Sequence, residues 1–257
     1  DTINEIIARL DEKLSAQINE IMHAKEFQSI ESAWRGLNYL TSNSETDSTL
    51  KIKVMNVSRS ELLSDFKRFA GAKWDQSPLF KKLYEYEYGV LGGEPYGALV
   101  GDYNFDHTAQ SVSLLRDLGK IAAAAHCPFI SAADPTLFGF DEWSELVNPR
   151  DLGEIFDAPD YAAWRSLRDS ENSRYVALCM PRVLAREPYG EKSIKVEEFA
   201  FEEETSGHNA GNYAWMNAAY AMAVNINRAH KEYGWTVRIP GVQSGGEVIN
   251  LPLHTLP

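Results

Sequence analysis

Tyr88–Pro135, YGVLGGEPYGALVGDYNFDHTAQSVSLLRDLGKIAAAAHCPFISAADP, holds three patterns in an order that decides the fold. The apolar run Gly97-Ala-Leu-Val-Gly101 is bounded by glycines and predicts a short buried strand. Alanine and leucine then dominate Ala109–Ala125, which predicts a helix, and Pro128-Phe-Ile-Ser131 opens a second strand running to about 132. A strand, a helix and a strand in this order imply parallel pairing through a helical crossover. Asp102, Asn104, Asp106 and His107 follow the first run and are expected to sit at the turn.

The alternation continues on both sides. Leu50-Lys-Ile-Lys-Val-Met-Asn-Val57 alternates apolar and polar positions, the signature of a half-buried strand. Ser58 with Glu61, or Ser60 alone, caps a helix carrying Leu62, Leu63, Phe66 and Phe69, and a further helix is expected near Ser77–Tyr88. Helices near Pro149–Asp157 and Pro159–Ser170 precede a third buried run, Tyr175–Met180. The class is therefore α/β, with a mixed or mainly parallel sheet flanked by helices. A last long helix, Asn212–Glu232, lines up Tyr213, Met216, Tyr220 and Val224 on one face and stops at Gly234. Glu94-Pro-Tyr-Gly97 recurs as Glu187-Pro-Tyr-Gly190 and predicts two similar turns.

The N-terminal region differs in character. Ile3, Ile7, Leu10, Leu14, Ile18 and Ile21 recur at three- and four-residue steps and form one apolar stripe on a charged helix. A second helix, Phe27–Leu40, carries Phe27, Ile30, Trp34 and Leu37 on one side. It covers part of the stripe, or a partner chain covers it; both remain open. The polar stretch Thr41–Thr49 marks a boundary, which divides the chain into a helical arm, 1–45, and an α/β body, 46–257. The chain opens on Asp inside a helical pattern and closes on Leu251-Pro-Leu-His-Thr-Leu-Pro257, so it reads as a piece of a longer protein.

Composition narrows the function classes. The 257 residues, 44% hydrophobic, suffice for a sizeable core. Twenty-five Lys and Arg face 37 Asp and Glu, and a net charge of -12 opposes binding to a phosphate backbone. Cys127 and Cys179 lie far apart beside apolar runs and fit buried free thiols in a reducing cytoplasm better than a disulfide framework. No run is long and apolar enough to span a membrane, and no signal peptide opens the chain.

None of the candidate chemistries is complete. Asp102, Asn104 and Asp106 resemble the start of a calcium loop, but His107 stands where glycine is required and Ser113 where glutamate is. Asp102, Asp106 and His107 could begin a metal-dependent hydrolase, without a spaced histidine pair to finish it; the alternative use of Asp106 or Thr108 is to cap the following helix. Gly89, Gly92, Gly93 and Gly97 precede a strand, whereas a phosphate loop follows one. Ser244 lacks the flanking glycine of a nucleophile elbow and reads as a turn, and His126 beside Cys127 reads as structural. Val196–Glu204 interleaves Phe199 and Phe201 with five glutamates, either as a solvated loop or as an edge on which a partner docks.

Several separated stretches resemble one family: Glu31-Ser-Ala-Trp-Arg-Gly-Leu37, Leu79-Phe-Lys-Lys-Leu-Tyr84, Gly92-Gly-Glu-Pro-Tyr-Gly97 with Gly101-Asp-Tyr103, His126-Cys-Pro-Phe129 and Met180-Pro-Arg-Val-Leu184. Together they resemble the large subunit of the type VI secretion contractile sheath, the TssC or VipB family, across nearly the whole chain. The resemblance implies a structural protein without catalytic residues, metal or cofactor. It implies pairing with a small sheath subunit (TssB or VipA), stacking with neighbouring protomers around an Hcp tube, contact with a baseplate, and disassembly by a separate ClpV-type ATPase. It also implies a large subunit longer than this chain at its C-terminal end. The residues expected at interfaces are Ile3, Ile7, Leu10, Leu14 and Ile18 of the stripe, with Phe199 and Phe201.

Overall fold

The computed structural model describes residues 2–147, 152–205, 210–236, 239, 241–242 and 246–253. Residues 149–151 of the helix expected near Pro149, Ser244 of the expected turn, and 254–257 lie outside the described residues. The chain divides into two compact units, Thr46–Pro181 and a second that unites Asp1–Glu45 with Arg182–Pro257.

The first unit is built on the strand–helix–strand pattern. Strands β1 (Leu99–Phe105), β2 (Phe129–Ala133) and β3 (Val176–Cys179) form a parallel sheet in the order β1-β2-β3. Leu99 pairs with Phe129 and Phe105 with Ala133, and the register slips between Val100 and Asn104. Two residues stand at that slip. A Cβ at Gly101 would stand 2.7 Å from the Phe129 ring, so only glycine fits there. The fully buried Ser131 hydroxyl lies 2.7 Å from the Gly101 carbonyl and 2.8 Å from that of Tyr103, beside the slip. β1 runs further than its apolar run: Asp102 and Asn104 lie within the strand as its exposed alternating positions, not at the turn.

Helix α1 (Thr2–Met22) and α2 (Lys25–Ser42) belong to the second unit; α3 (Arg59–Arg68), α4 (Pro78–Phe80, continued by a π-helical turn through Glu85) and α5 (Ala109–Ala124) belong to the first. Thr108 caps α5 by accepting the Ser111 N–H, and Val112, Leu115, Leu118 and Ile121 turn inward. They meet Phe105 and Phe129 of the sheet, Leu62 and Phe66 of α3, and Phe80 and Leu83. The Ser58–Glu61 capping box that opens α3 is complete. A smaller cluster of Leu137, Phe138 and Phe140 packs against Leu152 and Phe156 of α6 (Leu152–Asp157) and Trp164 of α7 (Ala162–Arg168).

The segment expected as a strand at 50–57 joins no ladder. Val54 is 70% and Met55 48% exposed. Its lysines instead reach sideways, Lys51 to Glu94 and Lys53 to Glu87, and the Tyr103 hydroxyl donates to the Val57 carbonyl at 2.6 Å. Alternation specifies a pleat only where an edge accepts the ladder, and here side chains hold the segment.

In the second unit, β4 (Val183–Leu184) and β5 (Trp215–Met216) form a two-stranded antiparallel sheet, and α8 spans Ala218–Tyr233. The helix expected from Asn212 starts six residues later because Trp215 and Met216 are taken by β5, while the Asn217 side chain accepts the Ala219 N–H. It ends at Gly234, whose φ of 76° is the left-handed cap expected there. α2 meets α8 through Gly36, Tyr39 and Leu40 on its buried side, with Gly36 under the Tyr220 ring.

Candidate interaction surface

The apolar stripe of α1 faces outward. Ile3 is 73%, Leu10 54% and Leu14 51% exposed, Ile6 and Ile7 are exposed beside them, and only Ile18 is half-buried. Nor does α2 cover it: Phe27, Ile30 and Trp34 are themselves exposed, with Trp34 at 68%. An outward apolar stripe on a helix twenty-one residues long is unusual on a monomer, which makes it the candidate contact face.

The inner side of α1 is mainly polar. Asp11, Ser15, Ile18, Asn19 and Met22 are its less exposed positions, and Asn19 is the one buried residue of the helix. Its carboxamide donates to the Glu202 carbonyl at 3.1 Å and accepts the Glu204 N–H at 2.9 Å. A side chain here makes the two bonds that a neighbouring strand would make.

Between those bonded residues lies Glu203, buried and ion-paired. Arg186 grips it with Nη1 at 2.5 Å and Nη2 at 3.0 Å, and turns its other edge to Glu31 of α2, Nε at 2.7 Å and Nη2 at 3.3 Å. Arg35 adds a third bond to Glu31 at 2.7 Å. Burial alone would push the Glu31 carboxyl up, but the hydrogen bonds from Arg186 and Arg35, and then their charges, outweigh it and hold the group below its ordinary value of 4.5. The Arg186 guanidinium is likewise held in its charged form by the two carboxylates against the cost of burial.

The repeated Glu-Pro-Tyr-Gly sequence belongs to this architecture, but not as a pair of glycine turns. Neither Gly97 nor Gly190 has a positive φ. What the two copies share is a carboxylate on a backbone N–H: Glu87 accepts from Glu94 at 2.8 Å, and Glu203 accepts from Tyr189 at 2.8 Å. In both, a cation lies over the tyrosine ring, Lys53 over Tyr96 and Arg186 over Tyr189.

The other expected site residues lie apart. Phe199 is half-buried and Phe201 is 5% exposed, packed against Tyr189 and Phe199. Asp106 accepts from the Thr108 N–H at 3.0 Å, from the Thr108 hydroxyl at 2.6 Å and from Ser111, so its carboxylate organises the start of α5. Burial opposes its charge, yet the Ser111 and Thr108 bonds and the charge of Arg59 hold it below the ordinary 3.8. His107 stacks on Tyr161 with ring centroids 4.3 Å apart, and Asp102 is exposed on β1. Among the described residues no three His, Cys, Asp or Glu side chains come together to hold a metal ion, and the hydrolase alternative finds no support. Cys127 and Cys179 are free, and burial pushes their thiols up to about 12 and about 11. Within the described residues, no helix is long and apolar enough to cross a membrane.

Residues 4–257 match the family model of the EvpB/VC_A0108 tail sheath N-terminal domain, VipB. The chain belongs to the VipB family. It is 63% identical over 256 residues to the type VI secretion system sheath protein TssC1 of Pseudomonas aeruginosa, a match covering 100% of this chain and 51% of that protein. The chain thus spans about half the length of that VipB-family relative. Of the features of this VipB domain, the stripe was readable from spacing alone. Asn19, Arg186 and Glu203 were not, because Asn19 bonds backbone atoms far away in sequence and Arg186 links Glu203 to the distant Glu31, pairings that no local spacing announces.

Proposed function

We propose that the chain is a structural, non-catalytic subunit of a contractile type VI secretion sheath, working in the cytoplasm. It pairs with a small sheath subunit and with neighbouring protomers stacked around an Hcp tube, on a baseplate, and is taken apart by a ClpV-like ATPase. One observation carries this reading: a VipB-family domain presents Ile3, Ile7, Leu10 and Leu14 outward on α1 over a mainly polar inner face. Burying such a stripe against another chain removes apolar surface from water at about 25 cal/mol per Å². The 63% identity to a sheath protein supports the same reading.

The test is co-expression of the complete reading frame with the adjacent small one, followed by electron microscopy. Regular tubes are expected. A soluble large subunit that neither co-purifies with the small one nor forms tubes would overturn the proposal.

A further inference from the structure

An amphipathic helix ordinarily docks by its apolar side. α1 departs from this, since most of its apolar stripe is outward and the side it turns to its own unit offers Asp11, Ser15 and Asn19 beside the half-buried Ile18 and Met22. We infer that α1 is a detachable arm held by a polar clasp rather than by a core, and that Asn19 is the positioning residue that fixes its direction. The carboxamide is suited to this because it carries a donor and an acceptor side by side, matching the Glu202 carbonyl and the Glu204 N–H. The clasped strip is itself immobilised: Glu203, between the two bonded residues, is held by Arg186, which also holds Glu31 of α2. Release of the clasp leaves that anchorage standing, and the apolar side chains it uncovers on α1 are the half-buried Ile18 and Met22. A partner seated on the outer stripe therefore moves the arm without disturbing the helices behind it. The use of the arm in assembly rests on the sheath reading; the clasp itself is a property of the single chain.

Nitroxides at Glu12→Cys and Glu232→Cys, in a background with Cys127→Ala and Cys179→Ala, report the arm against α8 by pulsed electron resonance. A single narrow distance distribution is expected for the otherwise unaltered chain. Asn19→Ala should broaden it at least twofold with helical circular dichroism unchanged. Asn19→Asp, which keeps the acceptor and loses the donor, should broaden it less. An equally narrow distribution in Asn19→Ala overturns the clasp, and so does global unfolding of that variant, which would make Asn19 a core residue. Failure of the complete reading frame, co-expressed with the small subunit, to form tubes would remove the sheath reading while leaving the broadening intact, so the two failures are distinguishable.

Discussion

Gly36 of α2 lies directly beneath the ring of Tyr220 of α8: a Cβ at position 36 would stand 2.3 Å from Cδ2 and Cε2 of that ring. Alanine favours a helix interior over glycine by about 1 kcal/mol. Tyr220 is only 8% exposed, and in a close-packed interior a ring cannot shift freely, so overlap wins. Gly36→Ala is expected to destabilise by about 1–3 kcal/mol in urea denaturation. In a Tyr220→Leu background the penalty should shrink, because the two changes share one contact.

Arg186 is 4% exposed and serves two carboxylates at once. Removing it leaves Glu203 and Glu31 without their shared counter-charge, an arrangement that costs about 3–5 kcal/mol. Arg186→Met should therefore lower the denaturation midpoint steeply. Arg186→Lys should recover only part of the loss, since an ammonium has no planar fork for two carboxylates. Equal stability of the lysine variant and the wild type would show that charge alone matters there.

Acid should weaken the same network. The folded pKa of Glu31 lies below its ordinary value of 4.5, so its ionised form is favoured by folding. The stability it supplies is fully present above pH 4.5 and is lost as pH falls through the folded pKa. Stability measured between pH 6 and pH 3 should thus fall below about 4.5, with a shallower fall in Glu31→Gln. An unchanged slope in that variant would place the acid sensitivity elsewhere, Asp106, Glu61, Glu87 and Glu94 being the other carboxyls held low.

The fold was legible wherever local pattern and tertiary demand agree. The run at 97–101, the helix from Ala109 and the cap of Ser58 on Glu61 are all local statements. Leu50–Val57 misleads because alternation describes a strand but names no neighbour. Trp215 and Met216 fit a helical face equally well, and only their pairing with Leu184 and Val183 excludes them from α8. At the surface, spacing located the stripe but not its orientation. The mainly polar inner face becomes meaningful only once Asn19 meets the backbone beside Glu203.

Ser131 is a residue whose role no pattern announces. Its hydroxyl is fully buried against the carbonyls of Gly101 and Tyr103, where β1 slips register against β2. Ser131→Ala removes a buried hydrogen bond to this pair of carbonyls and should cost about 0.5–1.5 kcal/mol. Ser131→Thr keeps the donor but adds a methyl to a packed interior, so it should cost less than alanine only if the neighbours yield. Thermal unfolding of both variants decides between a hydrogen-bonding and a packing role.

Leu10 and Leu14 provide the sharpest separation between folding and assembly. Both are more than half exposed, so charged replacements forfeit almost no internal burial. Surface changes of this kind usually move stability by about 0.5 kcal/mol or less, against about 2–5 kcal/mol for truncating a true core leucine. Leu10→Asp with Leu14→Asp should therefore leave the urea midpoint of the chain nearly unchanged. In a partner-covered seam the same two carboxylates would be buried without counter-charges, and association should fail. Co-purification with the small subunit and tube formation measure that second quantity. Loss of assembly at constant midpoint identifies the stripe as a contact face; a midpoint that falls as far as a core truncation would return those leucines to the interior of their own unit.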